Sequence, residues 1–302
     1  MKAVVLTAYG DVDKLEVAND LPDPSAGPNE VKVRMVGASI NPIDFKIRRG
    51  DFRATMPLAF PTVLGRDASG EVVEVGPGVS RFKVGARVMG LVRGAYAEFV
   101  IAPTDAWAEV PSTMDLVDAA ALPLVLLTGA QLIDEAVRPR QGDVVLVTGA
   151  VGGVGRSAVF VAKARGATVW AGVRSDQVAD AAKLGAEGVV ALDKDTEIDK
   201  LPRLDCIADT VGGATIAKLL GKMKPGGTIG SVVGEPAGAT EQGLVVRPMM
   251  AHPDAMRLAA LAQAVADGKL VIPIAKRFPL SRAREAQALA ENHSGGKVIL
   301  TG

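Results

Sequence analysis

The chain is 302 residues long, roughly two average domains, which is ample for a large core. Hydrophobic residues at 48% and charged residues at 23% match ordinary globular usage and exclude a disordered or collagen-like chain. The 34 Lys and Arg residues cancel 34 Asp and Glu, so no nucleic-acid or membrane partner is expected; one cysteine beside two histidines excludes an intrachain disulfide and nearly excludes a Cys/His zinc site.

Met1 to Leu6 turns polar at Thr7, lacks the sustained apolar core of a signal peptide, and reads as a first strand. The apolar stretch Ala119 to Leu132 is shorter than the roughly 20 residues of a membrane span and carries Pro123 and Gln131, so a soluble cytoplasmic protein is expected. Up to about Pro111 the apolar runs are short, Val-rich and separated by Gly and Pro. Val31 to Val36, Gly70 to Gly76, Val84 to Leu91 and Ala95 to Ile101 predict strands of a compact barrel or sandwich.

Beyond Asp115 the pattern lengthens. Leu116 to Arg138 predicts a helix or helix pair. Strands at Val144 to Val147, Thr168 to Ala171, Gly188 to Ala191, Cys206 to Ala208 and Thr228 to Val233 then alternate with helices at Gly155 to Arg165, Gln177 to Leu184 and Ile216 to Met223. Continuous apolar strands between helices predict an α/β fold with a doubly wound parallel sheet. From about Pro273 a strand, a helix from Ser281 to Asn292 and a strand from Lys297 to Leu300 remain, placed to rejoin the first domain.

Gly149-Ala150-Val151-Gly152-Gly153-Val154-Gly155 joins the strand ending at Val147 to an Ala-rich helix. Glycines there allow a tight turn and close backbone approach to a diphosphate, while the helix start offers N–H groups to the anion. Ala150 stands where the first glycine of the six-residue fingerprint is usual, with Gly152 and Gly155 in the other two places. A ligand-free tight turn is the plainer alternative. At the end of the second strand, Arg174 and Ser175 suit a 2′-phosphate, whereas an acid there would take a ribose diol. The expected cofactor is therefore NADPH, unless Asp176 simply neutralises Arg174 at the surface.

Several further motifs run in order along the chain: Asn41-Pro42-Ile43-Asp44 with Gly50, Gly65-Arg66-Asp67-Ala68-Ser69-Gly70-Glu71-Val72, Gly94-Ala95-Tyr96-Ala97-Glu98, Leu127-Thr128-Gly129-Ala130, Asp209-Thr210-Val211-Gly212-Gly213 and Gly296-Lys297-Val298. With the glycine turn they resemble, over nearly the whole chain, the zinc-independent quinone oxidoreductase branch of the medium-chain dehydrogenase/reductase superfamily. The resemblance implies a GroES-like catalytic domain (1–115, completed by 266–302) interrupted by a Rossmann domain (116–265). It also implies a small-molecule substrate in the cleft between them and a homodimer paired at the Rossmann sheet edges.

Zinc-dependent relatives carry a cysteine ligand where Asn41 stands, a His-Glu pair where Arg66-Asp67 stand, and a four-cysteine structural lobe. The resemblance thus implies metal-free hydride transfer to a quinone or similar electron-poor acceptor. Reduction of α,β-unsaturated ketones or enoyl compounds, and non-catalytic NADPH binding as a sensor or structural protein, remain as alternatives.

Carried over by position, Asn41 and Thr128 belong near the nicotinamide ribose, and Gly152, Gly153 and Val154, next to Ala150, beneath the diphosphate. Arg174 and Ser175 belong at the 2′-phosphate, Val211 at the adenosine, Val232, Val233 and Gly234 behind the nicotinamide, and Lys297 by the cofactor. The family's phosphate-binding Lys and Tyr fall on Val178 and Leu192, leaving Arg174 as the main phosphate ligand. The tyrosine proton donor of enoyl reductases falls near Phe52, so the substrate cleft, with Asn41, Asp44, Phe52 and Tyr96, shows no clear general acid. Asp44 equally reads as a helix cap, and Tyr96 as a core ring before a substrate contact. Arg66 and Asp67 read as a local ion pair, Cys206 as a small buried hydrophobe, and His252 and His293 as structural.

Overall fold

A computed structural model describes every residue of the protein except His293, so the expectation for that histidine lies outside the described residues. The chain forms two compact units, 1–124 with 253–302, and 125–252.

The first unit opens with β1 (Ala3–Leu6), β2 (Leu15–Ala18) and β3 (Glu30–Ile40), followed by helix α1 (Pro42–Arg49). β4 (Thr62–Val63), β5 (Asp67–Val75), β6 (Arg87–Leu91), β7 (Phe99–Pro103), β8 (Trp107–Glu109) and the short helix α2 (Leu116–Ala119) follow. β3 alternates as a half-buried strand must: Val31, Val33 and Met35 enter the core, while Lys32 and Arg34 do not.

The second unit begins within α3 (Pro123–Gln131), which continues into a π-helical turn over Leu132–Val137. β9 (Val144–Thr148), α4 (Gly153–Ala164), β10 (Thr168–Val173), α5 (Val178–Ala181) and β11 (Gly188–Ala191) come next. They lead to α6 (Asp195–Ile198), β12 (Leu204–Asp209), α7 (Gly213–Leu219), β13 (Met223–Ser231) and β14 (Val245–Pro248). The six strands are all parallel in the order β11-β10-β9-β12-β13-β14. The order reverses at β9 and β12, the switch point outside which ligands of open α/β sheets bind.

The chain then returns to the first unit with α8 (Ala255–Ala266), β15 (Ile274–Pro279), α9 (Ala283–Glu291) and β16 (Lys297–Thr301). The first unit holds a three-stranded sheet, β2-β1-β4, and a seven-stranded one, β15-β16-β3-β5-β6-β8 with β7 on β3. Returning strand β16 is thus internal, parallel to β15 and antiparallel to β3.

The unit boundaries fall at 124/125 and 252/253, whereas the sequence reading cut at 115/116 and 265/266. Helix α2 packs on β3 and β5, and α8 on β8, so both helices count with the first unit. One sequence expectation needs correction. The helical stretch Leu116–Val137, 22 residues, is long and apolar enough to cross a membrane because the helix runs on past Gln131; most of its apolar part is buried, as in the core helix of a folded protein.

Candidate functional site

In the first unit, the registers Ser39↔Asp67 and Ile40↔Val298 set the end of β3 beside the starts of β5 and β16. One pair further, Lys297 faces Asn41. The fully buried Asp67 carboxylate accepts from Ser39 Oγ–H at 2.6 Å, Asn41 Nδ2–H at 2.8 Å and the Leu124 backbone N–H at 2.7 Å. Lys297 Nζ donates to Asn41 Oδ1 at 2.5 Å and to the Ile40 carbonyl at 3.2 Å, and lies 3.6 Å from Asp67 Oδ2. Burial pushes the Lys297 pKa down, while the Asp67 and Asp44 carboxylates push it back up.

Asp44 sits in the first turn of α1, and its buried carboxylate accepts the Asn41 backbone N–H at 2.9 Å and the Tyr96 O–H at 2.8 Å. The first contact is a cap, one of the two roles read from the sequence. Burial raises the Asp44 carboxyl to about 7, outweighing the hydrogen bonds from Asn41 and Tyr96 that lower it. A carboxyl titrating near neutrality is what the sequence reading did not find. Its signal was hidden because Asp44 and Tyr96 lie 52 residues apart.

The Tyr96 ring is fully buried in the core, and Gly65, at φ +103°, makes room for it: a Cβ there would lie 2.6 Å from the ring. Burial and the neighbouring Asp44 raise the Tyr96 pKa. Phe52 lies half-buried in the turn after α1, where its carbonyl accepts the Met56 N–H at 2.7 Å.

The expected ion pair between Arg66 and Asp67 is not formed. Neighbouring side chains on extended backbone point to opposite sides, and Asp67 turns to Ser39, Asn41 and Lys297, while the buried Arg66 Nε has no hydrogen-bond partner among the described residues. The residues at these positions also do not fit a zinc ion. An amide and a guanidinium are not zinc ligands, and the one carboxylate already takes three hydrogen bonds beside an ammonium. Among the described residues no group of three His, Cys, Asp or Glu side chains is placed to hold a metal.

In the second unit, β9 ends at Thr148 and the glycine turn opens α4. A Cβ on Gly155 would lie 2.2 Å from the Gly149 carbonyl oxygen, so only glycine lets the helix pass this close to the turn. Gly152 is the N-cap and supplies no side-chain acceptor, leaving the first N–H groups of α4 for an anion. This cradle fits a dinucleotide diphosphate. Ala150 is buried within the turn, and Gly129, packed on Ser157 of α4, sets Thr128 in the adjoining helix.

The floor beyond the turn hangs on a residue to which the sequence reading gave no role. Buried Asp209 accepts Thr148 Oγ1–H at 2.8 Å, the N–H groups of Val211 and Gly212 at 3.1 and 3.0 Å, and Ser231 Oγ–H at 3.3 Å. One carboxylate thereby ties the ends of β9, β12 and β13. Val211 and Val233 lie exposed at these ends, Val233 with Val232 in the bend after β13 and Gly234 next along the chain.

Arg174 follows β10 but pairs with Asp176, Nε and Nη2 each 3.1 Å from a carboxylate oxygen. Ser175 donates its backbone N–H and its hydroxyl to Asp193, at 2.9 and 2.5 Å. Val178 is exposed and Leu192 buried. Cys206 is buried, and burial pushes its thiol up to about 11. His252 has found partners: its backbone and Nδ1 meet the Gln131 side chain, and Nε2 lies 3.1 Å from Glu135.

Residues 27–112 match the alcohol dehydrogenase GroES-like domain, and residues 184–300 match the zinc-binding dehydrogenase family. A chloroplast envelope quinone oxidoreductase homolog of Arabidopsis thaliana is 30% identical, covering 93% of this chain and 92% of its own. The chloroplastic NADPH-dependent alkenal/one oxidoreductase of the same plant is 30% identical over 99% of this chain and 79% of its own. The solved quinone oxidoreductase from Coxiella burnetii superposes with a TM-score of 0.88 at 30% identity, covering 100% of this chain and 99% of its own.

Proposed function

The chain belongs to the medium-chain dehydrogenase/reductase superfamily, as a quinone-oxidoreductase-like enzyme with a GroES-like and a Rossmann domain, and from that premise we propose an NADPH-dependent, metal-free reductase of quinones or similar electron-poor acceptors. The observation that carries this reading is the hydrogen-bonded Asn41–Asp67–Lys297 cluster, in which an ammonium balances the one carboxylate at the positions where zinc relatives hold their metal. That donor set does not suit a metal, so the acceptor must stabilise its own negative charge. A quinone does so, because hydride addition yields an aromatic hydroquinone anion.

A bound nicotinamide cofactor supplies the hydride. The chain's part is to bind and orient it. Gly152, Gly153 and Val154 would hold the diphosphate at the start of α4; Arg174 and Ser175 would meet the 2′-phosphate, and Val211 the adenosine. In the second unit Thr128 would meet the nicotinamide ribose, with Val232, Val233 and Gly234 backing the ring; in the first unit Asn41 and Lys297 would offer an amide and an ammonium to a sugar hydroxyl.

A second reading, carbon–carbon double-bond reduction of enones, is favoured by the buried Asp44–Tyr96 pair, in which burial raises the carboxyl to about 7. The name of the alkenal/one relative points the same way. Loss of NADPH absorbance with a panel of quinones and enones, after exhaustive chelation, separates these readings. Quinone turnover that survives chelation is expected. Activity lost on chelation and restored by zinc overturns the metal-free reading, and no turnover at all leaves a binding protein. We further propose a homodimer joined at β14, the sheet edge where Val245 is 41% exposed; a monomer by sedimentation overturns it.

A further inference from the structure

Strands β10 and β11 run parallel in the register Val173↔Ala191, and the Leu192 N–H donates to the Val173 carbonyl at 2.7 Å. The two strands therefore end level with each other, and the residues just beyond them, Ser175 and Asp193, become neighbours. Ser175 offers two donors in one direction, a backbone N–H at the start of a short 3-10 turn and a hydroxyl. Both are taken by the Asp193 carboxylate, at 2.9 and 2.5 Å. A backbone N–H beside a hydroxyl is a ready anion site, and here the protein's own carboxylate is the anion.

We propose that Asp193 is the residue that sets the choice between the two nicotinamide cofactors, by holding with its carboxylate the Ser175 donors that a 2′-phosphate needs. This rests on the reading that the second unit binds a nicotinamide dinucleotide with its adenosine end beside β10. NADPH must displace the carboxylate from Ser175 and bring its own negative charge next to it. NADH brings no phosphate, and its ribose diol meets an acceptor. Arg174 is already matched by Asp176, and the Asp193 charge is offset by Lys194 next to it, so the competition at Ser175 is for its two hydrogen-bond donors. The hydrogen bond from Ser175 also keeps the Asp193 pKa low, so the carboxylate stays ionised at working pH. Wild-type preference for NADPH is accordingly modest.

Asp193→Asn keeps an acceptor for the Ser175 N–H and removes only the charge; Asp193→Ala releases both donors. The test is direct binding of NADPH, NADH and 2′,5′-ADP to the full-length protein by titration calorimetry, with melting temperature as the control for folding. Both variants are expected to bind NADPH and 2′,5′-ADP about tenfold more tightly and NADH within twofold of wild type. Both dinucleotides binding as before, with an unchanged ratio in folded variants, overturns the role of Asp193 and leaves the cofactor site standing. A wild-type protein that binds neither dinucleotide overturns the cofactor reading itself, and this proposal with it.

Discussion

Asp44 is held in the native state with its carboxyl at about 7, above its ordinary value of 3.8, because burial outweighs the two hydrogen bonds it accepts. The folded protein therefore binds this proton more tightly than the unfolded chain. The resulting stability is fully present below about pH 4 and is lost as pH rises through 7, an effect of about 4 kcal/mol at most. Denaturant unfolding at pH 5 and pH 8 should show a larger drop for wild type than for Asp44→Asn; equal drops would mean the carboxyl is not buried in this way. If Asp44 also gives the proton in enone reduction, enone turnover falls above about pH 7 in wild type, while quinone turnover stays flat. Lys297→Met leaves the buried Asp67 without its counter-charge, and should cost roughly 3 kcal/mol, measured by urea unfolding. These partnerships were only half legible. Asn41 and Lys297 were found by resemblance, but Asp67 was assigned to its chain neighbour Arg66, because sequence adjacency does not show which way a strand residue faces. Asp193 has no local signal for a similar reason: its partner Ser175 lies 18 residues away, in the turn after a different strand.

At the scale of elements, the glycine turn makes a sharp contrast testable. A methyl on Gly155 would strike the Gly149 carbonyl at 2.2 Å, whereas one on Gly152 would stand 3.3 Å from the same atom. Gly155→Ala should cost roughly 2–3 kcal/mol in urea unfolding and weaken dinucleotide binding, with Gly152→Ala losing far less stability. A similar loss in both would show that the turn can relax. The parallel strands of the second unit were legible because each is an unbroken apolar run between helical patterns. β14 escaped, since Val245-Val246-Arg247-Pro248 is short, carries a charge and ends in proline, all tolerated only at a sheet edge. Helix α8 is not singled out by its sequence: an Ala-rich stretch suits any helix, and nothing local records that it packs on β8.

On the scale of the whole molecule, a cofactor that binds only the folded chain must raise its stability. At a hundred times its dissociation constant NADPH should add about 2.7 kcal/mol, seen as a rise in melting temperature that a chelator leaves unchanged. A melting temperature indifferent to NADPH would contradict the cradle at α4. The internal position of β16 carries a consequence for the order in which the protein is built. Lys297 and Asn41 are 256 residues apart in the chain, yet their contact closes the middle of the seven-stranded sheet. During synthesis the whole of 125–252 leaves the ribosome before β16 exists, so the second unit can fold while the first still has a gap between β15 and β3. Closing that gap is a high-contact-order step, slow relative to local helix formation. The Asp67 carboxylate receives its ammonium only at that moment, which makes the chemical site a late product of folding, absent from any nascent chain that stops short of residue 297.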